Sequence, residues 1–223
     1  MTRAEESYIQ SNHQLPQVEP EHYFHPGYPS KGRFISWWHQ INEIVNFMPS
    51  SILEIGIGPG LVAYYLRRMG FKVTTMDIDK RLGPEVVGSV LAIPCSDNAF
   101  DLVAAFQVLE HIPYEYFSEA LCEIHRVTKR YAVLSLPDCA RAYRFEVQIP
   151  KIGDLKILIT LPRLKAPAHR FDSQHYWEIS KAGYPLRRVL EDFRRSGFRV
   201  VKCYRVFEIP YHRFFVLVKG EQK

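Results

Sequence analysis

The chain has 223 residues, of which 47% are hydrophobic and 24% charged, with a formal net charge of +5. That balance excludes wholesale disorder, and no apolar run approaches the eighteen or so residues of a membrane-spanning helix. Four scattered cysteines (Cys95, Cys122, Cys139, Cys203) form no Cys-x-x-Cys pair and MTRAEESYIQSNHQ has no apolar leader, so the expectation is a soluble, cytoplasmic protein without disulfides or a zinc knuckle.

Residues 1–33 read as an N-terminal arm, irregular over its first 30 residues, with an aromatic cluster at Tyr23, Phe24, His25 and Tyr28. Apolar residues then recur at helical spacing from Phe34 to Phe47, and Pro49 ends that helix. Ser51–Ile55 is a short apolar strand ending in glycines, Leu61–Met69 a helix closed by Gly70, and Phe71–Met76 a strand stopping at Asp77. Leu91–Pro94 is a connecting loop, Phe100–Phe106 a buried strand, Phe117–Val127 an amphipathic helix, and Tyr131–Leu136 a strand ended by Pro137. Strands alternating with helices in this way build an α/β parallel sheet covered on both faces. Residues 138–180 interrupt the pattern as an insertion, with a β-hairpin around Lys151-Ile152-Gly153-Asp154. A helix over Pro185–Ser196 and strands over Phe198–Phe207 and Arg213–Lys219 complete a single domain. The short link between the last two strands predicts that they pair antiparallel.

The stretch from Ile52 to Gly60 carries the chemistry. A buried strand runs into a glycine-rich turn that opens a helix, where backbone N–H groups are free to meet a ligand. Asp77, 21 residues after Gly56, ends the next strand, a position that suits a carboxylate binding both hydroxyls of an adenosine ribose. A dinucleotide-binding turn needs a third glycine for close helix–strand packing, and Leu61 stands there instead. The other reading is Glu-x-Gly-x-Gly-x-Gly, made by Glu54, Gly56, Gly58 and Gly60.

This pattern resembles motif I of class I S-adenosylmethionine-dependent methyltransferases. Gly88–Pro94 followed by Asp97–Val103 is similar to that family's adenine loop and fourth strand, Gln107–Pro113 to its post-strand segment, and Glu123–Val127 to the helix before strand five. The resemblance covers about residues 50–137 and implies a Rossmann-like seven-stranded, mostly parallel sheet with helices on both faces and its last strand antiparallel. It implies S-adenosylmethionine as cofactor, leaving as S-adenosylhomocysteine. Glu54, Gly56, Gly58 and Gly60 would face the methionine portion, with Glu54 near its ammonium. Asp77 would take the ribose hydroxyls and Ile78 would cover the adenine. Ser89, where the family usually has Asp, and the Val90 N–H would meet the adenine edge, and Gln107 would lie beside the methionine moiety.

Methyl transfer imposes few obligatory residues beyond alignment and proton removal. His111, just past strand four, is the candidate base or acceptor-orienting group; packing within its loop is the other reading. Glu110-His111 resembles the Glu-x-x-Glu-His magnesium motif of some catechol-type and small-RNA methyltransferases, but Gln107 replaces the first acid, so no metal is expected. His175-Tyr176-Trp177-Glu178 and Tyr211-His212-Arg213-Phe214-Phe215 would line an acceptor pocket or supply core aromatics, with core favoured for Trp177, Phe214 and Phe215.

The expected acceptor is an oxygen or nitrogen of a small or medium-sized molecule. Charge raises an alternative: residues 1–125 hold 8 Lys and Arg against 15 Asp and Glu, whereas 126–223 hold 21 against 9. A basic second half would attract RNA or another polyanion. A non-catalytic cofactor-binding module is the remaining alternative. The 138–180 insertion, together with residues 20–33 of the arm, is expected to act as pocket and lid, or the hairpin as the interface of a homodimer.

Overall fold

In the computed structural model, which describes residues 15–161 and 165–220, Ile52–Ile55 (β1) is buried at every position, as a strand covered on both faces must be. Val73–Asp77 (β2) and Phe100–Phe106 (β4) flank it in parallel; Val86–Val87 (β3) lies beyond β2, and Thr128–Pro137 (β5) beyond β4. Arg141–Ile149 (β6) and Gly153–Leu161 (β7) form a separate hairpin. His212–Lys219 (β9) enters antiparallel between β5 and Phe198–Arg205 (β8), giving seven strands in the order β3-β2-β1-β4-β5-β9-β8.

Side-chain alternation along the strands divides the core between two faces. Leu53, Val103, Ala105 and Leu134 pack under Phe117, Leu121 and Ile124 of Phe117–Val127 (α4) and under Val189 and Phe193 of Leu186–Arg195 (α5). Ile52, Leu102, Ala104 and Val133 pack on the other face beneath Ile44 of Lys31–Val45 (α2) and Val62 and Leu66 of Leu61–Arg68 (α3). Each such Leu, Ile or Phe contributes about 1.5–3 kcal/mol by leaving water. Trp177, Phe214 and Phe215 are fully buried, and Trp177 donates its indole N–H to the Leu109 carbonyl at 3.1 Å.

Three local differences from the sequence reading have simple causes. The first long helix begins at Lys31, because extended Ser30 caps it by accepting the Arg33 N–H at 3.3 Å. The arm therefore gives up its last three residues to α2, and it contains a one-turn helix, Glu21–Phe24 (α1). Strand β3, two residues long, is too short for any periodicity. Residues 1–14 of the arm and 162–164 of the insertion lie outside the described residues.

Candidate active site

The turn after β1 is shaped by its backbone before any ligand is considered. Gly56 has φ +77°, and a Cβ there would stand 2.4 Å from the Val108 side chain, so only glycine fits. Gly60, also left-handed at φ 72°, heads α3. Asp77 ties the turn to the end of β2: its carboxylate accepts the Ile57 N–H at 2.9 Å and the Asp79 N–H at 2.9 Å. Burial raises the Asp77 pKa, opposed by those two N–H groups. Further lone pairs stay available on the carboxylate. Asp79 is held by Arg81, whose guanidinium reaches both its oxygens, and this lowers its pKa.

Glu54, Gly56, Gly58, Asp77, Ile78, Ser89, Val90, Gln107 and His111 all line one cavity of about 370 Å³. Gly60 is not in its wall; its contribution is the conformation that starts the helix. Glu54 is buried, one of its oxygens has no partner, and burial pushes its carboxyl up to about 8, against the pull of the Ala63 N–H and Arg67. An orphaned buried carboxylate is costly, and an ammonium group placed beside it would satisfy it. The cleft therefore fits the cofactor that the sequence implies. Ser89 Oγ accepts the Leu91 N–H at 3.2 Å, so it shapes its own turn as well as the cavity wall. Gln107 is left-handed at φ 55° and donates its amide to Ser135 Oγ at 3.1 Å, which fixes the end of β4 against β5.

Segments distant in sequence complete the cavity wall. His111 sits on a 3-10 turn, Leu109–His111, and its Nδ1 faces Gln17 Oε1 at 2.8 Å and the Gln174 carbonyl at 3.0 Å. Both are acceptors once the Gln17 amide donates to the His111 carbonyl at 2.7 Å, so a neutral His111 carries its proton on Nδ1 and a lone pair on Nε2. Burial, then the neighbouring His175, lowers its pKa to about 4. His175, 5.1 Å away ring to ring, bonds Glu178 at 3.1 Å, and Glu178 also accepts from Tyr211 and Cys139. Burial works to lower the His175 pKa, but the Glu178 hydrogen bond and the charges of Glu110 and Asp172 outweigh it, and the net shift is upward.

Sequence reasoning did not find Gln17, Ser36 or Gln40, which line the cavity, and it brought Arg33 to the pocket only as part of the arm. Arg33, Ser36 and Gln40 share one side of α2 at helical spacing. Ser36 bonds His212 at 2.8 Å, and Arg33 lies over the Tyr28 ring at 3.9 Å with no acidic partner among the described residues. Glu110, His111 and His175 bring one ligand atom each within 4.8 Å of one another. Two imidazoles and one carboxylate are a nitrogen-rich set, poorly matched to magnesium, which prefers oxygen ligands.

Comparison with known proteins agrees with this geometry. A family profile described as a methyltransferase domain matches residues 53–136. The ubiquinone biosynthesis O-methyltransferase of Nitrosococcus oceani is 29% identical over 136 residues, 54% of this chain and 56% of that protein, so the chain spans about half the length of this curated relative. A Pyrococcus horikoshii protein of known structure has a TM-score of 0.59 at 13% identity, over 91% of this chain and 100% of that one. The glycopeptide N-methyltransferase MtfA, complexed with S-adenosyl-L-homocysteine, has a TM-score of 0.54 at 13% identity, over 81% of this chain and 88% of that one. No helix among the described residues is long and apolar enough to cross a membrane. Sheet order, glycine turn and matched segment converge: residues 53–136 match the methyltransferase-domain family, and the sheet built around them has the fold of the solved neighbours.

Proposed function

We propose that the protein transfers a methyl group from S-adenosylmethionine to an oxygen or nitrogen of a small or medium-sized acceptor. The observation that carries this reading is the continuity of one cavity. It is lined by Glu54, the glycine turn and Asp77 and also by Arg33, Ser36, Gln174, His175, Tyr211 and His212, to which the donor's binding assigns no role. When bound, the cofactor supplies a methyl group already activated on a sulfonium, so the protein's tasks are alignment and proton removal.

Glu54 would receive the donor's ammonium, Asp77 its ribose hydroxyls, Ile78, Ser89 and Val90 its adenine, and Gln107 its methionine portion. His175 is the proton acceptor in this reading: Glu178 orients its ring and supports the charge it gains. His111 orients the acceptor through Nε2. Arg33, a cation without an acidic partner among the described residues, suits an acceptor bearing a carboxylate or phosphate. Gln17 and Gln174, bonded to His111 from opposite sides of the sequence, exclude water from the reacting end.

Incubation with methyl-labelled donor and a panel of small hydroxyl- and amine-bearing acceptors tests the reading. Transfer is expected, with Asp77→Ala losing on the order of 2–3 kcal/mol of cofactor binding and His175→Ala losing transfer while binding is kept. Undiminished cofactor affinity in Asp77→Ala would remove the assignment. Binding with no transfer to any acceptor would favour a non-catalytic module.

A further inference from the structure

The β6–β7 hairpin joins no other strand, and its pairing fixes what each face carries. Tyr143, Phe145 and Val147 stand opposite Ile159, Ile157 and Leu155, while Arg144 and Glu146 alternate with them opposite Leu158 and Lys156. The polar face is the one turned to the rest of the protein. Lys156 pairs with Glu208 at 2.9 Å and with Glu146 at 3.3 Å, and Arg144 donates to the Glu208 carbonyl at 2.6 Å. The apolar ladder is left to solvent, its six side chains 43–55% exposed, and Ile152 at the turn is 81% exposed.

That orientation is the reverse of what a hairpin covering its own domain would adopt. With Leu161 and Ile152, the ladder leaves on the order of 700 Å² of apolar surface uncovered, above the usual largest patch of a monomer and close to the roughly 800 Å² per partner of a standard interface. A lone two-stranded hairpin is also marginal in water without a packed face.

We propose that a second copy of this chain covers the ladder, the two hairpins packing apolar face to apolar face about a two-fold axis. The area matches what a stable dimer needs. The ladder carries no charge between Arg141 and the turn at Lys151, so it meets its own copy without repulsion. A bilayer is the weaker fit, because two of the hairpin's four cations, Arg144 and Lys156, are committed to Glu208 and Glu146, which leaves Arg141 and Lys151 for anionic headgroups. None of residues 141–161 lines the cavity, so the dimer leaves the site open.

Sedimentation equilibrium on the whole protein tests this from about 1 to 100 µM, the range in which an interface of this size gives measurable association. The expected wild-type mass is twice 26.1 kDa. Phe145→Glu and Ile157→Glu, each burying an unpaired charge, should weaken association about 100-fold or more. Both variants should keep the wild-type circular dichroism spectrum and S-adenosylmethionine affinity, which distinguishes a broken interface from a misfolded chain. Independently, amide exchange over Tyr143–Val147 in the wild type should slow as concentration rises. A wild-type monomer at the highest concentration, or a dimer indifferent to both substitutions, overturns the proposal. So does a wild-type monomer that binds phosphatidylserine vesicles and loses them with Phe145→Glu, which would give the face to a membrane.

Discussion

Burial holds the Glu54 carboxyl near its neutral form, with a pKa of about 8. An ammonium beside it favours the carboxylate, so cofactor binding below pH 8 should release a proton, and affinity should climb as pH rises towards about 8 before levelling off. Calorimetry in buffers of differing ionisation heat reads that proton; a pH-independent affinity would contradict the role. Glu54→Gln should abolish the linkage and weaken binding by about 10- to 100-fold, the worth of one charge-assisted contact. The same raised value works against folding. An unfolded glutamate ionises near 4.5, so this group's contribution to stability declines as pH rises from there towards 8. Glu54→Gln should consequently gain on the wild type in thermal stability as pH is raised over that interval. Elsewhere in the cavity wall, Glu178, with the charges of Glu110 and Asp172, keeps His175 basic against its burial. Glu178→Gln removes the largest of the pulls that oppose burial: the acid limb of kcat should move to lower pH and the plateau fall about 10- to 100-fold, with cofactor affinity unchanged.

Strand ends are fastened by a buried charge cluster. Asp138, just past β5, takes Arg213 at 2.7 Å, with Arg205 at 3.8 Å, the Ser180 hydroxyl at 2.8 Å and the Ala140 N–H at 2.8 Å. Asp138→Ala leaves two buried guanidinium groups without their carboxylate, and urea denaturation should show a loss of about 3–5 kcal/mol. Elements of this kind differ in how readily they can be read from sequence. The bounds of α4 and β4 follow from amphipathic spacing and from a continuous apolar run, both local properties. The start of α2 follows from a cap, and β3 from pairing alone. Alternation announces the hairpin strands, yet which face meets solvent depends on Glu208, 52 residues from Lys156, and no local pattern records that.

The wall formed by Glu54, the glycine turn and Asp77 was legible in the sequence because one strand–turn–helix and the end of the next strand build it. The segments around His175 and His212 were open to a pocket reading as well as a core one, whereas Gln17, Ser36 and Gln40 come to the same cavity only through the sheet's topology. Within α2, Arg33 looks like any exposed cation; its place above Tyr28 and its lack of an acid among the described residues are facts of the assembled molecule. For an anionic acceptor, Arg33→Gln should raise KM about tenfold, the loss of one charge-assisted contact, with kcat little altered. Equal KM for the anionic acceptor and its neutral amide analogue in the wild type would show that Arg33 does not select charge.

Sheet order carries a last consequence, for synthesis on the ribosome. Strand β8 pairs with β9 alone, and β9 is the wedge between β8 and β5. Until residues 212–219 leave the exit tunnel, β8 has no neighbour and the Tyr131–Pro137 edge of β5 stays open, an invitation to other nascent strands. Lys219 closes the process by donating its ammonium to the His125 and Thr128 carbonyls at 2.8 Å each, a cation on the carboxyl end of α4. Chains halted at residue 211 should therefore be captured by chaperones or aggregate, and release of eight more residues should restore solubility. Equal solubility of the two lengths in a translation-arrest assay would show that the first five strands of the sheet close without their wedge.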